Sequence, residues 1–231
     1  MQRLTLVSAA LLALCVAVLP ARAQDVVKGT EVAEVAYTHT ITKRSADIVA
    51  ALALTDAAKS NRVQEILVTQ YRALNAWHEQ HDDEIKGLNK SANGDKEAAE
   101  KAKAKVAEIQ ATLKPTHDSF LAKLGGELTP EQVEIVKDRM TYGKVQFTYK
   151  GFLNVVPDMT EEEKAHVLDL LKEARELAID GSSAEEKTAI FGKCKGKISN
   201  YLSSRGHDVG GKAKAKAKAK AKAASTNSPA K

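Results

Sequence analysis

The sequence predicts an all-α protein: a bundle of roughly six or seven helices followed by a disordered Lys/Ala tail. Apolar residues recur at steps of three and four over long stretches, which is the spacing of one helix face. Stretches that alternate like strands are nearly absent, and capping-box patterns precede several apolar runs. Aromatic residues make up 4% of the chain, so we expect a core of small aliphatic side chains between packed helices.

Residues 1–23 have the three parts of a secretory signal peptide. Arg3 supplies a positive charge, residues 4–19 form an uncharged and mostly apolar run, and Ala21-Arg22-Ala23 places small residues where a signal peptidase reads them. The run of 16 residues is shorter than the about 20 that a spanning helix needs. We therefore expect cleavage near Ala23-Gln24 and a periplasmic or secreted mature chain without a membrane span.

The mature chain is predicted to begin with an extended lead-in over 24–43, because that stretch has little apolar pattern. A helical domain over 44–208 follows, and a disordered basic tail occupies 209–231. A short helix over 44–54 opens the domain, and a long helix then runs from about Asp56 to Leu88. The apolar seam of the long helix includes two histidines: Val63, Leu67, Tyr71, Leu74, His78, His81, Ile85 and Leu88.

The rest of the helical domain is divided by turn and capping signals. Asn93-Gly94 predicts a turn, after which residues 95–114 return as the second arm of an antiparallel hairpin. Pro115 restarts the chain as a new helix. Three capping boxes predict later helix starts, at Thr129–Gln132, Thr160–Glu163 and Ser183–Glu186. Residues 144–156 alternate like a strand and also step like a helix; we favour a helix that ends at Pro157.

The tail carries much of the excess positive charge. The chain has a formal net charge of +5, and residues 212–231 contain seven lysines and no acidic residue. Like charges at this density favour disorder. The tail could hold anionic envelope polymers without sequence preference, or serve as a solubilising segment. The lysines concerned are Lys212, Lys214, Lys216, Lys218, Lys220 and Lys222.

A short resemblance concerns the helix starts. Leu128-Thr129-Pro130-Glu131-Gln132 is similar to the LTxxQ motif of small periplasmic chaperones of the Spy and CpxP type. The phrases at 54–56 and 159–163 echo it. The resemblance implies a chaperone-like role at the cell envelope, with envelope proteins as partners. Any helix that begins with a capping box can carry the same letters.

A broader resemblance spans most of residues 44–207. The chain resembles a family of secreted bacterial proteins, domain of unknown function 3826, in five segments: 62–77 (RVQEILVTQYRALNAW), 140–143 (MTYG), 148–150 (TYK), 157–160 (PDMT) and 191–202 (FGKCKGKISNYL). This resemblance implies one exported helical domain with no assigned activity and no catalytic residues. The basic tail is expected to lie outside the family pattern.

One candidate site is a metal centre on the long helix. His78 and His81 fall on its apolar seam, Asp82 lies one turn after His78, and His117 lies on an apolar face further along. Imidazoles and a carboxylate at such spacing can bind Zn²⁺ or another divalent metal. In the competing interpretation, the histidines are hydrogen-bonded near the end of the bundle and the neighbouring acids are solvated. No other cofactor is predicted.

A second candidate site is an aromatic and basic surface. Aromatic rings beside lysines can stack on a sugar or hold an anionic saccharide, and the residues concerned are Tyr142, Lys144, Tyr149, Lys150 and Phe152. In the competing interpretation the rings fill the core, because large rings dominate buried area.

The sequence favours a binding function over catalysis. It contains no glycine-rich nucleotide loop, no GxSxG and no HExxH motif, and no pattern for sequence-specific nucleic-acid binding. Cys194 is the one cysteine of the mature chain and is expected to be a small, half-buried side chain. The leading hypothesis is a non-enzymatic binding or chaperone-like envelope protein. The alternative is a metal-dependent or carbohydrate-active accessory protein that uses the His78, His81 and Asp82 cluster.

Overall fold

The all-α prediction is confirmed. The structure, a computed structural model, describes residues 21–91 and 95–209, with side-chain surroundings from residue 32 onward. These residues form eight helices: α1 (Ala21–Ala50), α2 (Ala57–Ser91), α3 (Lys96–Ala111), α4 (Lys114–Glu127), α5 (Pro130–Met140), α6 (Lys144–Val155), α7 (Glu161–Ile179) and α8 (Ala184–Ser204). The predicted turn at Asn93-Gly94, residues 1–20 of the predicted signal peptide, and the tail from residue 210 lie outside the described residues.

The predicted extended lead-in over 24–43 was wrong, because this segment lies within α1. It contains no proline and a single glycine, so no residue in it excludes a helix, although nine of its 20 residues are valine, isoleucine or threonine. The lack of an apolar stripe was a poor basis for predicting an extended conformation, since a helix can form without amphipathic patterning. The chain divides into two compact units, Met1–Ile41 and Thr42–Lys231, with the division inside α1. Helices α2 to α8 belong to the second unit.

Helix α2 packs against α3 and α4. Its predicted seam is buried from Val63 to His78, and beyond that point His81 and Ile85 are half-buried. The helix begins where Asp56 Oδ1 accepts the backbone N–H of Ala58 at 2.8 Å. Pro115 lies at the start of α4, as expected from a proline that can occupy the first turn.

Helices α5 to α8 form the other part of the unit. α7 packs against α5, α6 and α8, and α4 contacts α5. The apolar core here is built around Val167, Leu171 and Ile198, which are fully buried. Residues 144–155 are helical, which confirms the preference for a helix over a strand. Tyr142 (φ 59°) and Gly143 (φ 65°) make the tight left-handed turn that precedes α6.

The predicted capping boxes at Thr129–Gln132 and Thr160–Glu163 are present with both reciprocal hydrogen bonds. At α8, Ser183 accepts the N–H of Glu186 as expected, but the Glu186 carboxylate reaches one residue further back and accepts the N–H of Ser182 at 2.7 Å. Glu163 also receives bonds from beyond the end of α8, where His207 Nε2 lies 2.9 Å and Arg205 Nε 3.3 Å from its carboxylate.

A buried arginine connects α5 with α7. Arg175 is 3% exposed, and its guanidinium donates to Glu134 and, at 2.6 Å, to Asp138. Burial of a guanidinium is tolerated where carboxylates from a neighbouring helix compensate its charge. This contact and the buried apolar face of α7 together hold α7 against its neighbours. Among the helices of the described residues, none is long and apolar enough to cross a membrane.

Candidate ligand-binding cleft

A cleft of about 550 Å³ is lined by α2, α3, α4, α7 and α8. We refer to it as the α2–α8 cleft. Its volume lies in the range of about 300 to 1,000 Å³ that is typical of small-molecule sites. The apolar side chain of Leu177 belongs to the lining of this cleft and is 66% exposed to solvent. The large apolar residues of the lining are Trp77, Ile85, Leu113, Leu170, Leu177 and Ile190.

Asp180 is the C-cap residue that follows α7, and it contacts side chains of α2 and α4 at one side of the cleft. Its backbone oxygen lies 2.8 Å from His78 Nε2 on α2, and its Oδ2 lies 2.7 Å from His117 Nδ1 on α4. The two histidines are 102 and 63 residues away from it in the chain. The negative end of a helix favours such cationic or donor partners. The end of α7 is therefore held by side chains from α2 and α4.

His78 has acceptors at both ring nitrogens. Nδ1 lies 2.8 Å from Asp82 Oδ1, while Nε2 faces the Asp180 carbonyl. Each ring nitrogen of His78 therefore lies within hydrogen-bond distance of an oxygen atom, which fixes the orientation of the ring. His78 is 6% exposed, and the His78–Asp82 pair forms part of the cleft wall on the α2 side.

His117 is held by the carboxylate of Asp180. The hydrogen bond to Asp180 raises the pKa of His117 above its ordinary value, and it outweighs the opposing effect of burial. The charges of Asp180, Glu176 and Asp118 act in the same direction. Nε2 of His117 makes no hydrogen bond with any residue that the structure describes, so the imidazole is oriented but retains one unused nitrogen.

The buried side chain of Lys187 on α8 donates hydrogen bonds to the C-terminal carbonyls of α7. Its Nζ donates to the carbonyls of Ala178 at 2.7 Å and Ile179 at 3.3 Å, and the side chain is 2% exposed. The last carbonyls of a helix lack the usual partner four residues on; Ala178 O accepts the backbone N–H of Gly181 at 3.2 Å, and Lys187 adds a side-chain donor to both Ala178 and Ile179. Burial lowers the pKa of Lys187 to about 8, although Asp180 and Glu186 favour its charged form.

Trp77 forms the wall of the cleft on α2. Its indole N–H donates to Thr112 Oγ1 at 2.9 Å, which fixes the ring against the end of α3. The ring also contacts His78 edge-on, at 5.0 Å between centroids, and His81 at 4.9 Å. A large aromatic surface is thus held in a defined position with part of it facing the cleft.

Cys194 lies in the lining as a free thiol. Its Sγ donates to the carbonyl of Leu170 at 3.2 Å, and burial raises its pKa. A thiol with a raised pKa is a poor nucleophile. Cys194 therefore contributes packing to the cleft wall, as expected from the sequence.

A family model described as "Protein of unknown function (DUF3826)" matches residues 38–223. The chain belongs to this family. No curated protein matches the sequence. The family match confirms the resemblance carried by segments such as 62–77 and 191–202 and assigns no activity. The expectation that the basic tail lies outside the family pattern was wrong, because the match continues to residue 223 and includes Lys212 to Lys222.

The structure brings together three of the four predicted metal ligands. His78, Asp82 and His117 line the α2–α8 cleft, whereas His81 is not in the lining and stacks near Trp77. Within residues 21–91 and 95–209, no group of three or more His, Cys, Asp or Glu side chains has the arrangement of a metal site. The hydrogen bonds of His78 and His117 agree with the competing interpretation of bonded histidines at a bundle end.

The predicted aromatic and basic surface is divided between core and solvent. Phe152 belongs to the buried core and Tyr149 packs against it, while Tyr142 and Lys150 are exposed. Lys144 is half-buried. Rings that pack in a helical core cannot stack on a sugar at the same time. The six tail lysines, Lys212 to Lys222, lie outside the described residues.

Sequence reasoning missed Asp180, Lys187 and the exposed Leu177. Asp180-Gly181 follows an apolar run and precedes a Ser cap, which marks a helix end, but nothing local shows which histidines would reach it. Lys187 sits among charged residues and looks like a solvated lysine. Its burial follows from the crossing of α7 and α8, which one sequence does not specify.

Proposed function

We propose that this protein is a non-enzymatic binding protein whose ligand is a small, largely apolar molecule held in the α2–α8 cleft. The observation that supports this most is the contrast within the cleft lining. Apolar side chains such as Leu177 are left uncovered, while most polar groups at the end of α7 are bonded to one another, and only Asp180 Oδ1 and His117 Nε2 have no hydrogen bond to a described residue. A site with mostly satisfied polar groups and open apolar walls gains free energy mainly by covering the apolar area.

The position of Trp77 makes the proposal measurable. It is the single tryptophan of the chain and lines the cleft, so its fluorescence reports on occupancy. The neutral apolar dye N-phenylnaphthylamine accepts energy from tryptophan. We expect the dye to bind the mature protein saturably and to quench Trp77 emission.

The matched variants are Leu177→Asn and Phe147→Asn. Both leucine and phenylalanine are highly exposed, at 66% and 76%, so neither change should alter stability by more than about 0.5 kcal/mol. Leu177 lines the cleft and Phe147 does not. We expect Leu177→Asn to weaken dye binding about fivefold, in line with the apolar area lost, and Phe147→Asn to leave it unchanged. No saturable quenching, or equal loss in both variants, would overturn the proposal.

The alternative function, a metal-dependent or carbohydrate-active accessory protein, is motivated by the presence of His78, Asp82 and His117 in one cleft. Metal binding there would have to replace one of the two bonds of His78, whereas His117 could bind through Nε2 while Nδ1 keeps its bond to Asp180. The test is metal analysis of protein purified without chelator, together with a thermal shift on addition of Zn²⁺. Bound metal that is lost in a His78→Ala/His81→Ala variant would favour the alternative.

A chaperone-like form of the binding function would use a different surface. Phe147 and Val155 are 76% and 54% exposed and lie two turns apart on α6, with Gly151 between them. Exposed apolar side chains in a row can contact unfolded clients. The purified protein should then slow aggregation of an unfolded client at equimolar ratio, and Phe147→Asn should weaken this effect while Leu177→Asn does not.

We further propose that the protein acts outside the cytoplasm and that its tail binds anionic envelope polymers. Export is supported by the signal-peptide pattern of residues 1–23, and N-terminal sequencing of protein from fractionated cells tests it. Tail binding is supported by the density of lysines in residues 212–222. Removal of residues 212–231 should abolish salt-sensitive retention on an anionic polysaccharide; unchanged retention would contradict it.

A further inference from the structure

The acidic residues of the α2–α8 cleft are mostly occupied by partners of the protein itself. Asp82 is paired with His78, and Asp180 with His117. Glu176 pairs with Lys137 at 3.0 Å, and the Glu186 carboxylate accepts the backbone N–H and the hydroxyl of Ser182. Asp82, Asp180 and Glu176 are therefore each paired with a basic side chain of the protein, although Asp180 Oδ1 has no hydrogen bond to a described residue, and Glu186 is hydrogen-bonded but keeps its charge.

Two lysines of the same lining, in contrast, have no charged partner among the described residues. Lys193 and Lys197 are exposed, lie four residues apart on α8, and form no ion pair with any described residue. Residues at this spacing project side by side, about 5–6 Å apart at their Cβ atoms. The third lysine of the lining, Lys114, is paired with Asp118 at 2.7 Å.

Apolar lining residues adjoin the two free lysines. Ile190 precedes Lys193 by three positions on the same helix, and Cys194 lies between the two lysines in sequence and packs on Leu170. The aliphatic stems of lysines can extend an apolar surface while the ammonium groups remain in water. An apolar wall therefore continues into a pair of positive charges that form no ion pair with the residues that the structure describes.

One lining carboxylate opposes this arrangement. Glu173 of α7 is exposed and forms no ion pair within the described part of the chain; its charge raises the pKa of the Cys194 thiol, whereas the charge of Lys197 lowers it. It reduces the positive potential near the lysines but does not cancel two charges. Its removal should therefore strengthen the attraction of an anion.

We propose that the α2–α8 cleft binds an anionic amphiphile, with its apolar body against Trp77 and Leu177 and its acidic group between Lys193 and Lys197. This inference rests on the proposed binding function and adds the chemical class of the ligand. Apolar burial supplies most of the affinity, and the lysine pair supplies selectivity for the sign of the headgroup.

The test uses two dyes that differ by one charged group. Anilinonaphthalene sulfonate is N-phenylnaphthylamine with a sulfonate added, so the ratio of their affinities isolates the contribution of the anion. Laurate and dodecyltrimethylammonium, used below their micelle-forming concentrations, then compete with the neutral dye as headgroups of opposite sign. Trp77 emission reports on binding in every case.

We expect the sulfonate dye to bind about three- to tenfold more tightly than the neutral dye, as two partly exposed ion pairs allow. Lys193→Gln/Lys197→Gln should remove this preference and leave the neutral dye unaffected. Lys195→Gln is the matched control, because Lys195 lies on the same helix outside the cleft lining. Glu173→Gln should increase the preference, and laurate should compete better than the cationic detergent.

The outcomes separate the inference from the function on which it rests. Saturable binding of the neutral dye that depends on Leu177, with no preference for the sulfonate, would overturn the anionic ligand and retain the binding function. The same holds if Lys195→Gln reduces the preference as much as the double variant does. Failure of both dyes to quench Trp77 would overturn both proposals.

Discussion

The two ends of α7 are held in different ways. At the N-terminal end, Thr160 and Glu163 cap the first turn through contacts three residues apart in the chain, and His207 and Arg205 add bonds to the Glu163 carboxylate from beyond α8. At the C-terminal end, the carbonyls of residues 178–180 receive Lys187 from α8 and His78 from α2. Each end suits the helix dipole, with a carboxylate at the start and donor side chains at the finish.

This difference shows that one helix can be stabilised both by contacts within a single turn and by contacts with helices that are distant in the sequence. The N-terminal cap can form as soon as α7 does, because both partners belong to the same turn. The C-terminal contacts exist only when α2, α4, α7 and α8 are all in place, and they form one side of the α2–α8 cleft. The candidate site is therefore associated with the end of the helix that depends on tertiary structure.

The largest expected effect is that of Lys187→Ala. It removes a buried aliphatic stem and the side-chain donor of the Ala178 and Ile179 carbonyls, of which Ala178 keeps the backbone N–H of Gly181. We expect a loss of about 3 kcal/mol in the free energy of unfolding, measured by urea denaturation. The control is Lys193→Ala on the same helix, which is exposed and should cost less than about 0.5 kcal/mol. Equal costs would mean that Lys187 does not hold the end of α7.

A smaller effect is expected from His117→Ala, with a defined dependence on pH. Removal of the hydrogen bond to Asp180 should cost about 1–2 kcal/mol at pH values below 6.5, the ordinary pKa of histidine. Because the folded-state pKa of His117 is raised, this contribution is complete below pH 6.5 and is lost as the pH rises through the folded value.

The measurement for His117 is the difference in unfolding free energy between wild type and variant across this pH range. A double-mutant cycle with Asp180→Asn isolates the pair, because Glu176 and Asp118 also act on His117. A difference that grows with rising pH, or a cycle with no coupling, would contradict the assigned role of Asp180.

The smallest effect at neutral pH is expected from Glu163→Gln at the N-terminal end. The glutamine can still accept the Thr160 N–H, but it loses the charge that interacts with His207 and Arg205. Bonds from Thr160 and His207 lower the pKa of Glu163 to about 2 from 4.5. The stabilising contribution of Glu163 is therefore present above pH 4.5 and disappears as the pH falls towards 2.

The corresponding experiment is thermal melting of wild type and Glu163→Gln as a function of acid. The melting temperature of wild type should fall more steeply below pH 4.5, so that the two proteins converge. Glu162→Gln, one position earlier and exposed, is the control and should follow wild type throughout. Parallel acid profiles for wild type and Glu163→Gln would show that the charge of Glu163 has no role at this end.

Much of the fold could be predicted because it depends on short-range rules. The seam from Val63 to His78, the capping boxes at Thr129 and Thr160, and the helical form of residues 144–155 follow from spacing and from hydrogen bonds within one turn. The failure at residues 24–43 has the same origin, because a helix without an apolar stripe gives no periodic signal.

The candidate site was only partly predictable. His78 and His117 could be singled out because polar residues on apolar faces are unusual, and both line the cleft. Their partner Asp180 could not be found, since it lies 102 and 63 residues away and its local sequence indicates only a helix end. The free lysines of α8 could not be told from paired ones, because ion pairing depends on which helix lies opposite.

The sequence by itself determined that the chain is helical, where its capped helices begin, which faces of α2 are apolar and to which family it belongs. These properties depend on contacts within a few residues or on the pattern of the whole chain. The tertiary structure alone decided that Lys187 is buried and that two histidines meet at Asp180. It also decided that Lys193 and Lys197 lie beside an open apolar wall and form no ion pair within residues 32–91 and 95–209. The physical reason is that burial and charge pairing depend on how distant helices pack against each other, which local sequence does not specify.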